Sequence, residues 1–365
     1  MKYIAAKLWL VLFLLLNSKS VFAREVYEFY NGIRQMSMGG VSIAVVNDET
    51  ALLANPAGLG KLRDTFTTLI DPEVDYGQLN SSIAPGTSIT ETLTMQGLID
   101  LLRSAKDTHF HLRTQIFPSF VLTNFGVGFF AKYATDAEMA SGSPDTLHFD
   151  YVNDIAFVMG YCFRIWDGRI KFGFNVKYVN RLEIRDQDPA IPSTVTGAAI
   201  KDYASEGGGI SSDGGVIFTL PWTLLPTLAV MVHDIGNTAF NAASGLVYNV
   251  ASTQPDIVPQ TIDAAFALFP IVGNRTRVTF SGEYRDVTNV LEETDTSRKM
   301  HVGMEFNFSD MFFFRLGMNQ RYWTAGVEFA YDRFQFQLGS YGEDIGTSSA
   351  NREDRRYSAK FAYRF

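Results

Sequence analysis

The sequence is an acidic chain of 365 residues, with 39 acidic and 31 basic side chains and a formal net charge of −8. This balance excludes a nucleic-acid partner, because binding to phosphates requires clustered lysine and arginine. The single cysteine, Cys162, excludes an internal disulfide framework or a thiolate metal cluster. We expect Cys162 to pack as a small apolar residue, and we predict no metal and no cofactor.

Residues 1–23 have the pattern of a cleaved export signal. Two lysines precede an apolar run over residues 8–16, and small residues stand where a signal peptidase would cut after Ala23. The run is shorter than the roughly 20 residues that a membrane-spanning helix needs. We therefore exclude it from the fold and expect the mature protein to begin at Arg24.

Residues 24–62 lack the strand pattern of the chain that follows them, and we predict that they form a plug, or hatch, inside the lumen of a barrel. A glycine pair would let the backbone approach the wall closely, and a proline would fix the turn that leads into the first strand. Two interpretations of Asn55 stay open, a cap on nearby amides or a part of a gate. The candidate gate residues are Gly39, Gly40, Asn55, Pro56 and Ala57.

Residues 63–365 predict an all-β fold, an antiparallel transmembrane β-barrel. Aromatic residues make up 14% of the sequence, yet the mean hydropathy is only +0.01, as alternating strands would give. At the C-terminus Tyr357, Phe361 and Phe365 lie on an apolar face, while Arg356 and Lys360 lie on a polar one. Because the apolar faces are so aromatic, we expect them to face lipid rather than a soluble core.

Short loops provide a test of this alternation, because a register slip of one residue would turn an apolar face toward the lumen. Loops at 167–168, 309–311 and 332–333 keep the apolar faces in phase. The expected facing pairs are Phe163 with Phe172, Tyr161 with Phe174, Met159 with Val176, Phe308 with Phe312, Phe306 with Phe314, Tyr331 with Phe334, Phe329 with Phe336 and Val327 with Leu338. The same register places Glu305 opposite Arg315 as an ion pair in the lumen.

Fourteen strands follow from this pattern, an even number as expected for a bacterial barrel. We place them near residues 64–76, 113–122, 125–134, 148–163, 169–184, 212–220, 226–235, 261–269, 275–285, 299–308, 312–320, 323–331, 334–341 and 355–365. The connections after even-numbered strands are short, and those after odd-numbered strands are long except near Tyr322. Short periplasmic turns and long outer loops are the arrangement of an outer-membrane protein.

The long connections carry three further predictions. Residues 88–103 have helical periodicity, with Thr90 or Thr92 as the N-cap, and predict a short amphipathic helix in the first outer loop. The acidic residues of the outer loops are expected to form a solvated surface, or alternatively to bridge divalent ions to lipopolysaccharide. These residues are Asp286, Glu292, Glu293, Asp295, Glu343, Asp344, Glu353 and Asp354.

Two pairs of residues on the predicted strands have alternative interpretations. Gly126 and Gly128 lack side chains to pack and are candidates for a kink with a lateral opening, although glycines in barrels also simply relieve curvature. His109 and His111 have the spacing of two metal ligands, but such a pair at a strand edge is more often ordinary surface.

The N-terminal segment resembles the FadL family of outer-membrane transporters for hydrophobic compounds. The resemblance lies in Met38-Gly39-Gly40, the acidic turn Asn47-Asp48-Glu49 and the run Asn55-Pro56-Ala57-Gly58-Leu59, ahead of a fourteen-stranded pattern. It implies a barrel closed by an N-terminal hatch, with a route for apolar molecules through the hatch or sideways through the wall. The ligand-contact residues of the fatty-acid transporters do not map onto this chain. The C-terminal Phe365 likewise resembles the terminal residue by which the barrel-assembly machinery recognises its clients.

Two functions fit these observations. The first is passive uptake of hydrophobic small molecules, long-chain fatty acid-like compounds among them, through the hatch. The second is a surface or secretion scaffold that binds a protein partner through its outer loops. An enzyme is not predicted, because the five histidines do not combine with serine as a membrane lipase requires, and Gly207-Gly208-Gly209 lacks the Lys-Ser or Lys-Thr of a phosphate loop.

Overall fold

The computed structural model describes residues 28–77, 94–185, 191–242, 253–273, 275–346 and 350–365. The predicted signal peptide lies outside these residues, as do Thr90 and Thr92. In the described part of the chain, none of the helices is both long and apolar enough to cross a membrane.

Fourteen antiparallel strands form a closed barrel, as the sequence predicted. Neighbours in sequence pair with each other, and the last strand pairs with the first, for example at Lys360 and Glu73. The strands are β1 (Phe66–Ile70 with Glu73–Gly77), β2 (His109–Ile116 with Ser119–Leu122), β3 (Phe125–Ala140), β4 (Thr146–Ile165), β5 (Ile170–Ile184), β6 (Ala204–Thr219), β7 (Thr227–His233), β8 (Thr261–Leu268), β9 (Thr276–Tyr284), β10 (Met300–Phe308), β11 (Phe312–Asn319), β12 (Tyr322–Tyr331), β13 (Phe334–Asp344) and β14 (Glu353–Arg364).

The predicted register is confirmed at all three tested turns. Phe163 faces Phe172, Phe308 faces Phe312 and Tyr331 faces Phe334, and the other expected pairs follow in step. Large apolar side chains therefore lie on the outer surface, where Phe157 is 54% exposed, while charged side chains point into the lumen. This inversion of a soluble protein is what lipid around a barrel requires.

Strands β1 and β2 are both interrupted by a proline, at Pro72 and Pro118. Between the pairs Thr68–Ser119 and Glu73–Gln115, four residues of β1 (69–72) face three residues of β2 (116–118). Proline cannot donate a ladder hydrogen bond, so regular pairing stops at these two residues. The extra residue of β1 forms a bulge. The Asp71 carboxylate compensates by accepting a hydrogen bond of 2.5 Å from the Phe117 amide.

The outer ends of the strands differ from the prediction. Strands β3 and β4 continue to Ala140 and from Thr146, so the connection between them is short rather than long. Strand β6 begins at Ala204, eight residues before its predicted start at 212. The local sequence does not predict the length of these extensions. They are stabilised by packing against residues from elsewhere in the chain.

That packing comes from a helix, α3 (Met95–Ser104), which begins at its N-cap Thr94 and not at the predicted threonines. Its Leu98, Ile99 and Leu102 are buried against Leu147 and Phe149 of β4. Leu147 and Phe149 lie on the same face of β4 as the exposed Phe157. Near the extended end of β4, the helix therefore covers an apolar face that is exposed further along the strand.

Candidate functional site

Residues 28–62, here called the N-terminal segment, lie inside the barrel. The segment contains two short helices, α1 (Ile33–Ser37) and α2 (Ala51–Ala54), followed by a 3₁₀ turn over Pro56–Lys61. Most of its apolar side chains are buried, Met38 and Leu52 completely, while Phe29 and Tyr30 are half-buried. It contacts the inner faces of strands on opposite sides of the barrel, β4 to β6 and β10 to β13, so it crosses the lumen.

Gly39 and Gly40 lie where the segment touches β10 and β11, in left-handed conformations with φ of 72° and 90°. L-amino acids with side chains rarely adopt these angles. A Cβ on Gly40 would also lie 2.5 Å from Nδ1 of His301. These two positions therefore require glycine for both backbone conformation and close approach.

The wall carries a matching set of inward-facing glycines that sequence reasoning missed. A Cβ on Gly317 of β11 would lie 2.5 Å from the Gly39 amide nitrogen, and one on Gly160 of β4 would lie 2.6 Å from a methyl of Leu52. Their signal in the sequence was a glycine at a lumen-facing position in strand after strand. The wall glycines are Gly160, Gly173, Gly215, Gly303, Gly317, Gly326 and Gly339.

Asn55 is buried at the exit of α2 and caps the turn that follows. Its Oδ1 accepts a hydrogen bond of 3.0 Å from the Ala57 amide, and its Nδ2 donates one of 2.8 Å to the Ile43 carbonyl. Pro56 and Ala57 lie directly against Gly173 of β5. The capping interpretation of Asn55 is thus the observed one, and a role in gating stays a prediction.

Polar side chains of the wall bind the backbone of the N-terminal segment. Glu283 accepts hydrogen bonds from the amides of Ser42 at 2.8 Å and Ile43 at 3.1 Å. Nδ1 of His301 lies 3.0 Å from the Gly39 carbonyl oxygen, which fixes the proton on Nδ1 because a carbonyl only accepts. On the opposite wall, Asn175 donates to the Leu52 carbonyl at 2.8 Å. The segment is therefore held from both sides.

An ion network links the segment to the wall through Arg34. Its guanidinium lies 2.6 Å from Oδ2 of Asp48 within the segment and 3.1 Å from Glu305 of β10. Glu305 also pairs with Arg315 at 2.7 Å, and Arg315 contacts Glu328. Burial alone would raise the pKa of Asp48, but Arg34 and a hydrogen bond from Thr50 lower it to about 2.

An aromatic cluster lies between the segment and strands β3 to β5. Phe29 and Tyr30 of the segment pack against Phe130 of β3, with ring centroids 4.9 and 5.9 Å apart. The cluster also contains the buried Leu52, Phe117, Val158, Val179 and Phe240, together with Cys162, which packs as a small apolar residue as expected. Two lysines border it, with Nζ of Lys132 and Lys177 lying 6.0 and 4.7 Å from the centre of the Phe29 ring.

Gly126 and Gly128 lie in a regularly paired part of β3. Gly126 faces Val121 on one side and Gly160 on the other, and Gly128 faces Ser119 and Val158. The wall is closed at these glycines. Close to these glycines, the wall is irregular at the bulge between β1 and β2, beside their prolines.

Several polar residues lie elsewhere than predicted. His109 and His111 are not surface residues, because both point into the lumen and contact Oδ1 of Asp136, at 3.2 and 2.7 Å. Four of the outer-loop acids are likewise buried instead of solvated, because basic and amide groups of neighbouring strands and loops surround them. They are Asp286, Glu343, Asp344 and Asp354.

No protein-family model matches the sequence, and no curated protein matches it. Several solved structures, however, are similar to it. The chain is similar to CymD, a monoaromatic hydrocarbon channel, with TM-score 0.54 and 10% identity over 91% of this chain and 96% of that one. It is also similar to the toluene transporters TbuX of Ralstonia pickettii (TM-score 0.53, 12% identity, 92% and 98% covered) and TodX of P. putida (0.52, 13%, 92% and 98%). The chain therefore shares the fold of the TodX-type transporters, and the FadL-like fold predicted from its sequence is confirmed.

Proposed function

We propose that this protein is an outer-membrane barrel for passive uptake of hydrophobic small molecules, with the N-terminal segment as its hatch. The observation that carries this proposal is the apolar packing between the segment and the wall, in the aromatic cluster and in a second cluster around Met38, Ile217 and Met231. Other parts of the lumen wall carry ion pairs such as Arg113 with Asp75 and Arg315 with Glu305, where an apolar molecule would not bind. Apolar side chains at this boundary give apolar cargo a surface to bind when the segment moves.

The fold and the names of its neighbours support the same proposal. CymD, TbuX and TodX are described as a monoaromatic hydrocarbon channel and toluene transporters. A fourteen-stranded barrel is also too wide to be filled by wall side chains alone, so a plug is needed to stop leakage. Uptake of long-chain fatty acid-like compounds and contacts with lipopolysaccharide and the barrel-assembly machinery stay predictions from the sequence.

A reversible lock on the segment tests the hatch. A Cβ on Gly339 of β13 would lie 2.5 Å from Oγ of Ser37 in α1. Cysteines at these two positions can therefore form a disulfide after small shifts of the two side chains. We expect a Ser37→Cys, Gly339→Cys double variant, in a Cys162→Ser background, to take up radiolabelled toluene or oleate only when reduced. Uptake is measured in bacteria that make the variant, relative to cells without it.

The same protein after addition of dithiothreitol is the control, because its sequence and expression are identical. Equal uptake by the oxidised and reduced forms would show that the segment need not move. Uptake equal to that of cells without the protein, in both forms and for wild type, would remove the transport proposal and favour the scaffold alternative.

A further inference from the structure

We propose that one end of the barrel binds the phosphate groups of anionic phospholipids, with Arg169 and Arg333 as the contact residues. This proposal concerns the lipid around the barrel and does not depend on what passes through the lumen. The end in question, here called the turn rim, consists of the short connections between strands and the C-terminal residue: 166–169, 220–226, 269–275, 309–311, 332–333 and Phe365.

Arginines without a carboxylate partner lie only at or beside the turn rim. Among the residues that the structure describes, every other arginine has a carboxylate oxygen within 4.0 Å. The arginines that form no such pair are Arg63, Arg164, Arg169, Arg275 and Arg333. The lumen and the outer loops therefore neutralise their own arginines, whereas the turn rim leaves its arginines for an anion from outside the chain.

Arg169 lies on an aromatic stack that belongs to the lipid-facing surface. Its guanidinium carbon is 5.5 Å from the centre of the Trp166 ring, which is 59% exposed. That ring stacks on Phe218 of β6, with the ring centroids 6.1 Å apart. Phe218 lies two residues from Val216, which faces the outward-pointing Phe172, so it is on the outer face as well. The cation is therefore at the edge of the surface that contacts lipid.

Arg333 repeats this arrangement in the turn between β12 and β13. Its guanidinium carbon is 4.6 Å from the centre of the Phe365 ring. The Phe365 ring packs against Tyr363, and Tyr363 packs against Phe334, with both pairs of ring centroids 5.1 Å apart. Phe365 and Phe334 are each 53% exposed. A second cation thus lies over a group of rings on the outer surface.

The aspartates in the same two turns do not neutralise these cations. Asp167 and Asp332 are in left-handed conformations, with φ of 55° and 51°, which aspartate adopts more readily than most residues. In the described part of the chain, neither forms an ion pair with Arg169 or Arg333. Turn geometry therefore accounts for the aspartates, and both guanidinium groups stay available to another anion.

A lipid phosphate is the anion that this position favours. Guanidinium forms paired hydrogen bonds with phosphate oxygens, and lipid phosphates lie where aromatic side chains mark the end of the hydrocarbon region. Exposed apolar side chains of the turn rim, such as Trp222 at 63% and Ile271 at 74%, continue the lipid-facing surface to this boundary. An acidic protein on the end of the barrel would meet the turns end-on, whereas the two cations lie over rings that face sideways.

An anionic phospholipid gains more from these contacts than a zwitterionic one. A zwitterionic headgroup carries its own cation beside the phosphate, so the arginine adds little net attraction. A basic side chain near the membrane surface is worth about 1 kcal/mol toward an anionic lipid, which corresponds to about a fivefold preference. We therefore expect a local excess of phosphatidylglycerol over phosphatidylcholine at each site.

The opposite rim contains a matched arginine that already has its anion. The guanidinium carbon of Arg355 lies 4.1 Å from the centre of the Trp323 ring, and Trp323 is 61% exposed. Arg355 also pairs with Glu353 and donates a hydrogen bond of 2.7 Å to the Trp323 carbonyl. Because the protein itself neutralises this cation, we expect no lipid preference beside Trp323.

Quenching of tryptophan fluorescence by brominated lipids tests the proposal on the mature chain in vesicles. Trp166 and Trp323 are each studied as the sole tryptophan, with the others replaced by phenylalanine. The vesicles contain brominated phosphatidylglycerol with unlabelled phosphatidylcholine, and then the reverse labelling. We expect phosphatidylglycerol beside Trp166 about five times more often than its share of the mixture predicts, and lipid beside Trp323 in proportion to the mixture.

Two changes should remove the preference at Trp166. Arg169→Gln removes the cation, and Arg355→Gln is its control, which should leave quenching of Trp323 unchanged. Raising the salt to roughly 1 M should have the same effect without any variant, because the screening length falls to about 3 Å. Mobility in unheated gels shows that the barrel of each protein is folded.

A third emitter reports on the second site. Tyr331 is 61% exposed and faces Phe334 across the turn that contains Arg333. As the sole tryptophan, Tyr331→Trp should show a similar preference for phosphatidylglycerol. Arg333→Gln should abolish it, whereas Arg169→Gln should leave it unchanged.

Three outcomes would overturn the proposal. The first is quenching of Trp166 that follows the lipid mixture in a folded barrel, which would leave the arginines to water or to an acidic protein. The others are a preference that survives Arg169→Gln at low salt and an equal preference at Trp323. None of these results concerns uptake, which the disulfide lock tests separately.

Discussion

At the scale of single residues, the N-terminal segment is fixed by a few side chains that connect it to the wall. Arg34 is central among them, because it bridges Asp48 of the segment and Glu305 of β10. The low pKa of Asp48, about 2, means that its folded form binds a proton less readily than the free side chain. Its stabilising contribution is therefore complete above pH 3.8 and is lost as the pH falls through 2.

The first prediction follows from this loss of stabilisation at low pH. In wild type we expect pepsin to cut within residues 28–62 only near pH 2, where Asp48 gains a proton. In Arg34→Gln the same cleavage should begin at a higher pH, because burial then raises the pKa of Asp48 without the opposing guanidinium. The cleavage products are identified by mass spectrometry between pH 4 and pH 2.

Arg103→Gln is the control for this experiment, because the Arg103 pair with Asp100 at 2.9 Å lies on α3, away from the lumen. An identical cleavage profile in Arg34→Gln and Arg103→Gln would contradict the assigned role of Arg34.

At the scale of elements, the segment fits the barrel because strands on both sides carry glycine at the positions where it docks. Gly317 of β11 illustrates the constraint, since a Cβ there would meet backbone atoms of Met38 and Gly39 at 2.6 and 2.5 Å. Contacts below 3.0 Å cannot be tolerated by a rotamer change when the opposing atoms are backbone. The wall and the segment are therefore complementary in shape, strand by strand.

The second prediction is that Gly317→Ala displaces the segment and opens a leak. We expect a higher ion conductance in planar lipid bilayers than for wild type, because the added methyl meets the backbone of Met38 and Gly39 in the segment as well as the Val302 carbonyl of β10. Unchanged folded mobility in unheated gels would show that the barrel is still intact. Gly282→Ala in β9 is the control, since its Cβ would have no neighbour closer than 3.9 Å. Equal conductance for the two variants would contradict docking through the wall glycines.

At the scale of the whole molecule, the barrel and its outer cap have separate sources of stability. The barrel is closed by continuous pairing from β1 through β14. The cap is a hydrophobic cluster in which α3 and the connection between β5 and β6 cover the extended ends of β3 and β4. The cap can therefore loosen without opening the barrel.

The third prediction tests this separation with Ile99→Ala in α3. Ile99 is completely buried, so truncation should cost the cap about 2–5 kcal/mol. We expect trypsin to cut after Arg103 faster than in wild type, while the barrel keeps its folded mobility in unheated gels. Ile271→Ala, at an isoleucine that is 74% exposed and lies outside this cluster, should leave cleavage unchanged. Loss of the folded barrel in Ile99→Ala would show that the cap and the barrel fold as one unit.

The wall of this protein could be predicted from its sequence because its determinants are local. Alternation along a strand and a short turn fix which residues face each other, so Phe163 opposite Phe172 and Glu305 opposite Arg315 follow from sequence alone. The segment that fills the lumen could also be recognised, since its composition differs from the strands that follow it.

Only the tertiary structure decided how the parts fit. The lengths of β3 and β4, the docking against wall glycines such as Gly317, and the aromatic cluster around Phe29 all depend on residues far apart in sequence. Phe29 and Lys177 are 148 positions apart, yet they meet because the barrel closes around the segment. Periodicity reports which face a residue occupies, but it carries no information about what lies opposite that face once the barrel has closed.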